Sequence, residues 1–215
     1  VLARGQRVSG AMLKLLGKPT SINVRKVLWL LDELALPFDH DPLEAPGSAA
    51  RLSILNPNTL VPVLIDGDAV LWESNTLCRY LAAREGRHDL LPAHPLARAR
   101  VEQWMDWQAT ELNSAWRPAF MALVRQHKAY QDQAAINASI ASWNRLMVLL
   151  ERQLQRTGAY VVGEDFTLAD IVLGLSANRW LMTPMARPEL PAVQAWVARL
   201  ETRAGYRAHG RNGIP

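Results

Sequence analysis

No periodic hydrophobic pattern occurs before Met12, where the run Met12 to Leu16 (MLKLL) ends at Gly17-Lys18-Pro19 and predicts a strand entering a turn. Val24, Val27, Leu28 and Leu31 then recur at i, i+3, i+4 and i+7, the apolar stripe of a helix that stops near Leu36-Pro37. Phe38 to Pro42 predicts a second strand, followed by a Pro/Gly/Ala loop and a short helix ending before Asn56-Pro57-Asn58. Val61 to Ile65 and Val70 to Trp72 predict two strands joined through Asp66-Gly67-Asp68, a hairpin signal because glycine accepts a positive φ. Glu73-Ser74 opens a helix carrying Leu77, Tyr80 and Leu81 on one face. The first part therefore reads βαβαββα.

Beyond the polar stretch Gly86 to Pro95 the pattern is helical throughout. A helix is predicted over Leu96 to Leu123, with Val101, Trp104, Met105, Gln108 and Leu112 inward and an interruption at Ala115-Trp116-Arg117-Pro118-Ala119-Phe120. Ile136, Ile140, Trp143, Met147, Leu150 and Leu154 alternate steps of four and three, and Val193, Trp196, Val197 and Leu200 repeat the pattern. The change in composition predicts an α/β unit over 12–85, a linker over 86–95 and an all-helical unit over 96–215. Residues 1–11 (VLARGQRVSGA) lack both periodicity and the apolar centre of a signal peptide, and are expected to form a leader or disordered segment outside the fold.

Composition changes the functional picture more than the fold. At 215 residues and 49% hydrophobic, the chain can bury a sizeable core and is neither disordered nor fibrous. Lys+Arg of 24 against Asp+Glu of 20 gives +4, but Arg4 and Arg7 lie in the first eleven residues, and the remaining surplus is dispersed. Without a block of like charge or an interleaved aromatic platform, no nucleic-acid partner is expected. The longest apolar runs, such as Val27 to Leu31, are about five residues against the ~20 that span a bilayer, so no membrane partner is expected either. Cys78 is the single cysteine and the five histidines are scattered, which predicts no metal site and suits a reducing, cytoplasmic setting. Lys18, Arg25 and Lys26 are expected to create a local positive potential near the start of the first helix.

Candidate chemistry gathers in four segments. Ser21-Ile22-Asn23-Val24-Arg25-Lys26-Val27 puts a hydroxyl and an amide at a helix N-terminus, where unpaired backbone N–H groups and the helix dipole favour an anion. Simple N-capping by Ser21 explains the same residue. In Leu60-Val61-Pro62-Val63, a proline opening a strand is a candidate cis bond that would leave the Val61 backbone free to pair with an extended peptide, while an ordinary trans proline is the alternative. Glu73-Ser74 offers a carboxylate for an ammonium, and a hydroxyl with backbone amides for a carboxylate. Thr167-Leu168-Ala169-Asp170 reads as a capping box with Phe166 and Ile171 as its hydrophobic staple, a structural feature without a catalytic part.

These four segments, in this order on βαβαββα followed by helices, resemble the cytosolic glutathione transferase family from Met12 to about Arg207. The likeness is nearest to bacterial members with a Ser-x-Asn-Val-[Arg/Lys]-Lys-Val motif, and the joint spacing of SINVRKV, NPNTLVPVL, LWESNTLCRYLA and FTLADI carries it. The resemblance implies a thioredoxin-like glutathione-binding domain, a helical domain supplying the electrophile pocket, and a homodimer. It also implies glutathione as co-substrate, with no tightly bound cofactor and no metal. Ser21 would then hydrogen-bond the glutathione sulfur, with Asn23 as the alternative thiol partner. The Val61 backbone beside Pro62 would pair with the cysteinyl part, and Glu73 and Ser74 would hold the γ-glutamyl group. Leu60 stands where many relatives carry a polar residue, leaving His40, Asn58 or Thr59 for the glycyl end.

Within this resemblance Trp116, Arg117 and Phe120 read either as an apolar electrophile pocket with one anchoring charge or as plain core. Relatives that reduce mixed disulfides place a cysteine where this chain has Ser21, so Cys78 reads as a buried thiol. The implied activity is conjugation of glutathione to a hydrophobic electrophile. A glutathione-dependent peroxidase or disulfide reductase, and a non-catalytic glutathione-binding or regulatory protein, are the alternatives.

Overall fold

The computed structural model describes residues 12–215, so the expected leader over 1–11 lies outside the described residues. Strand β1 (Leu13–Leu16), helix α1 (Ile22–Glu33), β2 (Phe38–Asp41), α2 (Ser48–Leu55), β3 (Val63–Asp66), β4 (Ala69–Trp72) and α3 (Ser74–Arg84) follow in the expected order. The sheet runs β2-β1-β3-β4, with β1 parallel to β2 and the other two pairings antiparallel. This is the thioredoxin-like arrangement expected from the sequence. The third strand starts at Val63, two residues later than the apolar run suggested, because Val61 and Pro62 form a separate bend whose peptide bond is cis.

Helices α4 (Pro95–Trp107), α5 (Asn113–Leu123), α6 (Gln133–Thr157), α7 (Leu168–Met182), α8 (Pro191–Leu200) and α9 (Ala204–His209) complete the fold. The predicted interruption at Ala115 to Phe120 is not where the long helix breaks. A π-helical turn over Gln108–Leu112 separates α4 from α5, and Pro118 lies inside α5. Proline disturbs the backbone ladder there, and Ser139 of α6 repairs it: its hydroxyl donates to the Ala115 carbonyl at 2.6 Å and accepts from the Ala119 N–H at 3.1 Å.

One continuous apolar core joins the sheet side to the helices, because α1 is buried on nearly every face and packs on α3, α7 and α9. Trp29 is its centre. The indole lies so close to α7 and α9 that a Cβ at Gly205 would stand 2.3 Å from Trp29 Cδ1, and one at Gly174 3.2 Å from Trp29 Cζ3. Trp29 Nε1 donates to Glu33 Oε1 at 2.8 Å, and Arg203 of the α9 N-terminus clamps both Glu33 oxygens at 2.9 and 2.7 Å.

Helix α7 opens with the predicted capping box. The Thr167 N–H and hydroxyl donate to Asp170 Oδ2 at 2.9 and 3.1 Å, while Oδ1 accepts from the Val161 N–H at 3.0 Å and Trp196 Nε1 at 2.9 Å. Burial nonetheless pushes the Asp170 carboxyl up to about 6. Among the described residues no helix is long and apolar enough to cross a membrane, and no cluster of metal-ligating side chains occurs.

Candidate active site

The site is built where β1 ends against α1. Gly17 (φ 145°) makes the approach possible: a Cβ there would stand 2.5 Å from Val24 Cγ2 and 3.0 Å from Val61 Cβ, so only glycine lets the turn, helix and bend meet. Ser21 follows at the N-cap of α1 with extended backbone, yet its hydroxyl makes no capping bond. A half-buried hydroxyl thus stands at a helix N-terminus with its donor uncommitted, and it faces a cleft of about 700 Å³.

Val61 lines the same cleft, and no described residue bonds its N–H or C=O. On the helical side, Trp116 and Phe120 meet edge to face at 5.3 Å, and Arg117 reaches the same space from an exposed position. Trp116 and Phe120 are both almost wholly buried in the core and both line the cleft.

Asn23 is placed differently from Ser21. Its Oδ1 accepts from the Ser74 hydroxyl at 3.3 Å, away from the cleft lining. Ser74 begins α3, and Glu73 precedes it, exposed, with φ 71° in a region costly for a residue with a Cβ. Pro62 is buried behind Val61. Of the three substitutes named for a glycyl contact, only Thr59 lines the cleft; His40 Nε2 is spent on the Gly17 carbonyl at 2.8 Å.

The predicted surface potential from Arg25 and Lys26 is not formed. Lys26 is 2% exposed and donates to Asn75 Oδ1 at 3.1 Å and Gln108 Oε1 at 2.7 Å, tying α1 to α3 and to the π turn. Burial holds its ammonium down to about 8, with Arg179 adding to the effect. Arg25, also buried, donates to the Ile214 and Pro215 carbonyls at 2.8 Å each. Of the three cations, Lys18 alone remains at the cleft. Cys78 is buried in α3, and desolvation pushes its thiol up to about 12, as expected of an inert core residue.

Arg179 is the cleft residue that sequence reading missed. It lies on α7, 3% exposed, with its guanidinium carbon 4.4 Å from the Trp116 ring centroid and 4.0 Å from that of Phe120. Its signal was the arginine within Leu168 to Met182, a segment buried on all sides.

Residues 15–89 match the glutathione S-transferase N-terminal domain family and residues 109–204 the C-terminal domain family. The chain is 35% identical over 209 residues to glutathione S-transferase GstB of Escherichia coli strain K12, spanning 91% of this chain and 96% of that one. It is 33% identical over 213 residues to glutathione S-transferase 3 of Zea mays, spanning 91% and 92% respectively. A solved structure of the theta class glutathione S-transferase from the citrus canker pathogen Xanthomonas axonopodis pv. citri, with glutathione bound, superposes with a TM-score of 0.84 at 34% identity, over 94% of this chain and 99% of that one. With both halves of the chain matched and the fold shared almost end to end, this protein belongs to the glutathione S-transferase family.

Proposed function

We propose that the protein conjugates glutathione to hydrophobic electrophiles, using Ser21 to hold the sulfur as a thiolate. The carrying observation is the uncommitted Ser21 hydroxyl at the α1 N-terminus, in a cleft lined also by Val61, Trp116 and Phe120. A free thiol has a pKa near 8.5 and is mostly protonated at pH 7. A hydroxyl donor and the positive end of a helix both favour the anion. The Val61 backbone beside Pro62 pairs with the cysteinyl part, and Glu73 and Ser74 hold the γ-glutamyl ammonium and carboxylate. Asn23 then acts through Ser74, which supports Ser21 over Asn23 as the thiol partner.

In the reaction the sulfur lone pair forms a bond to the electrophilic carbon and the leaving group departs with its bonding pair; the thiol proton goes to solvent. Holding both reactants in one cleft supplies much of the acceleration. The division of labour gives glutathione to residues 12–85 and the electrophile to 96–215, with 86–95 as linker. Half-buried Trp104 and Trp107 on α4, edge to face at 5.1 Å, support a homodimer through that helix, and the lone buried cysteine suits the cytoplasm.

Calorimetric titration with glutathione, followed by turnover assays with a chloronitroaromatic, cumene hydroperoxide and a small disulfide, tests the reading. Binding with fastest turnover of the chloronitroaromatic supports it. Preference for the peroxide or disulfide would make the protein a reductant instead, binding without turnover would make it a regulatory module, and no binding by folded protein would sink all three.

A further inference from the structure

A guanidinium carries five N–H donors in its plane, and the contacts of Arg179 with the Trp116 and Phe120 rings supply no hydrogen-bond acceptor for them. Among the described residues none accepts a hydrogen bond from it, and its Nε is buried without a partner. Burial pushes its pKa down to about 9, with Arg25 and Arg125, the charged neighbours acting on it, adding to the effect. Arg25 has carbonyl partners; Arg179 does not. The cleft lining adds Lys18, Arg117 and Arg125 and includes no aspartate or glutamate. A buried cation without a counter-charge is costly, and a packing role between two rings would be met by leucine or methionine. What the position supplies beyond packing is an already desolvated, in-plane fork of donors beside the wall of the electrophile.

We propose that the cleft takes hydrophobic electrophiles bearing a carboxylate, and that Arg179 pairs with that carboxylate while the apolar body lies against Trp116 and Phe120. This rests on the conjugating reading and names its substrate class. For 4-chloro-3-nitrobenzoate the sulfur of glutathione bonds to the chlorine-bearing carbon, chloride leaves with the bonding pair, the thiol proton passes to solvent, and the carboxylate is unchanged. Arg179 acts on specificity by touching the substrate; the thiolate is served by Ser21.

The test compares 4-chloro-3-nitrobenzoate with its neutral isostere 4-chloro-3-nitrobenzamide, each kcat/KM divided by the uncatalysed rate with glutathione. The wild-type protein is expected to favour the acid by about tenfold or more, the worth of one charge-assisted contact. Arg179→Met should reduce that acid-to-amide ratio at least about tenfold, and Arg179→Lys should restore part of it. Should Arg179→Met not fold, competition by benzoate against benzamide in the wild-type protein decides, with tighter benzoate binding expected. No acid preference in the wild type, or equal loss on both electrophiles in Arg179→Met, overturns the proposal. So does a raised KM for glutathione with the ratio unmoved, since the cation would then serve the tripeptide. Ready turnover of the amide without acid preference removes this inference alone, whereas failure to bind glutathione removes the conjugating reading beneath it.

Discussion

Replacing Ser21 by alanine separates two roles that a serine at a helix start ordinarily combines. Loss of an N-cap serine usually costs about 1 kcal/mol, but the Ser21 hydroxyl makes no capping bond, so stability should move by less than about 0.5 kcal/mol. Its value as a donor to a thiolate is larger. A hydrogen bond to a charged group contributes about 1.5–3 kcal/mol, and each unit of pKa is about 1.4 kcal/mol, so the bound thiol should rise by one to two units in Ser21→Ala. At a pH below both values that lowers the thiolate fraction, and with it kcat/KM, by about 10- to 100-fold. The assay is the pH profile of kcat/KM with a chloronitroaromatic, together with thiolate absorbance of the glutathione complex. Both apparent pKa values should move upward by the same amount, while the thermal midpoint holds. A loss of turnover within about twofold, or an unmoved pH profile, refutes hydroxyl donation. A large fall in thermal midpoint would mean that the hydroxyl caps the helix after all.

Other perturbations test the frame around the site. Asp170→Ala strips four hydrogen bonds and leaves the Val161 N–H and Trp196 Nε1 unpaired inside the core, so unfolding should become easier by about 3 kcal/mol or more, read as a lower thermal midpoint. Because the folded pKa of Asp170 is about 6, above the ordinary aspartate value near about 4, the native state binds the extra proton between those values; the wild type should lose stability relative to Asp170→Asn as pH rises from about 4 to about 6, and no further above it. Gly205→Ala should destabilise by about 1–3 kcal/mol despite alanine's better helix propensity, because Trp29 Cδ1 stands 2.3 Å from the new methyl; chemical denaturation measures it. Cys78 should resist thiol-specific reagents in the native protein and react at the rate of unfolding.

Local signals carried much of the fold: alternation, helical stripes and the Gly67 turn delivered the βαβαββα order, and the Pro62 bend was readable because it lies within a few residues of chain. What escaped reading depended on distant partners. Arg25 and Lys26 look like solvated residues in sequence, since buried cations are rare. They are buried because Asn75, Gln108, Ile214 and Pro215 come from elsewhere in the chain to receive them. The π turn at Gln108–Leu112 has no periodic signature in so short a span, and Pro118 drew attention to the wrong residues because Ser139, on another helix, mends the ladder it breaks. Ser21 and Val61, which line the cleft, were legible as candidates. Arg179 was not, because one arginine in an apolar helix reads as an irregularity until the fold brings it beside Trp116 and Phe120.

The close fit of Trp29 against Gly174 and Gly205 bears on how the chain can be recombined. A helical half borrowed from a relative with a methyl group at the Gly205 position would collide with the indole of the sheet-bearing half, and one at the Gly174 position would crowd it. Trp29 and the two glycines form a matched set across 176 positions of sequence, so a chimaera that separates them should be less stable than one that inherits all three together. Shuffling for new electrophile preference is therefore best confined to the cleft face of α5 and α7, leaving that set intact.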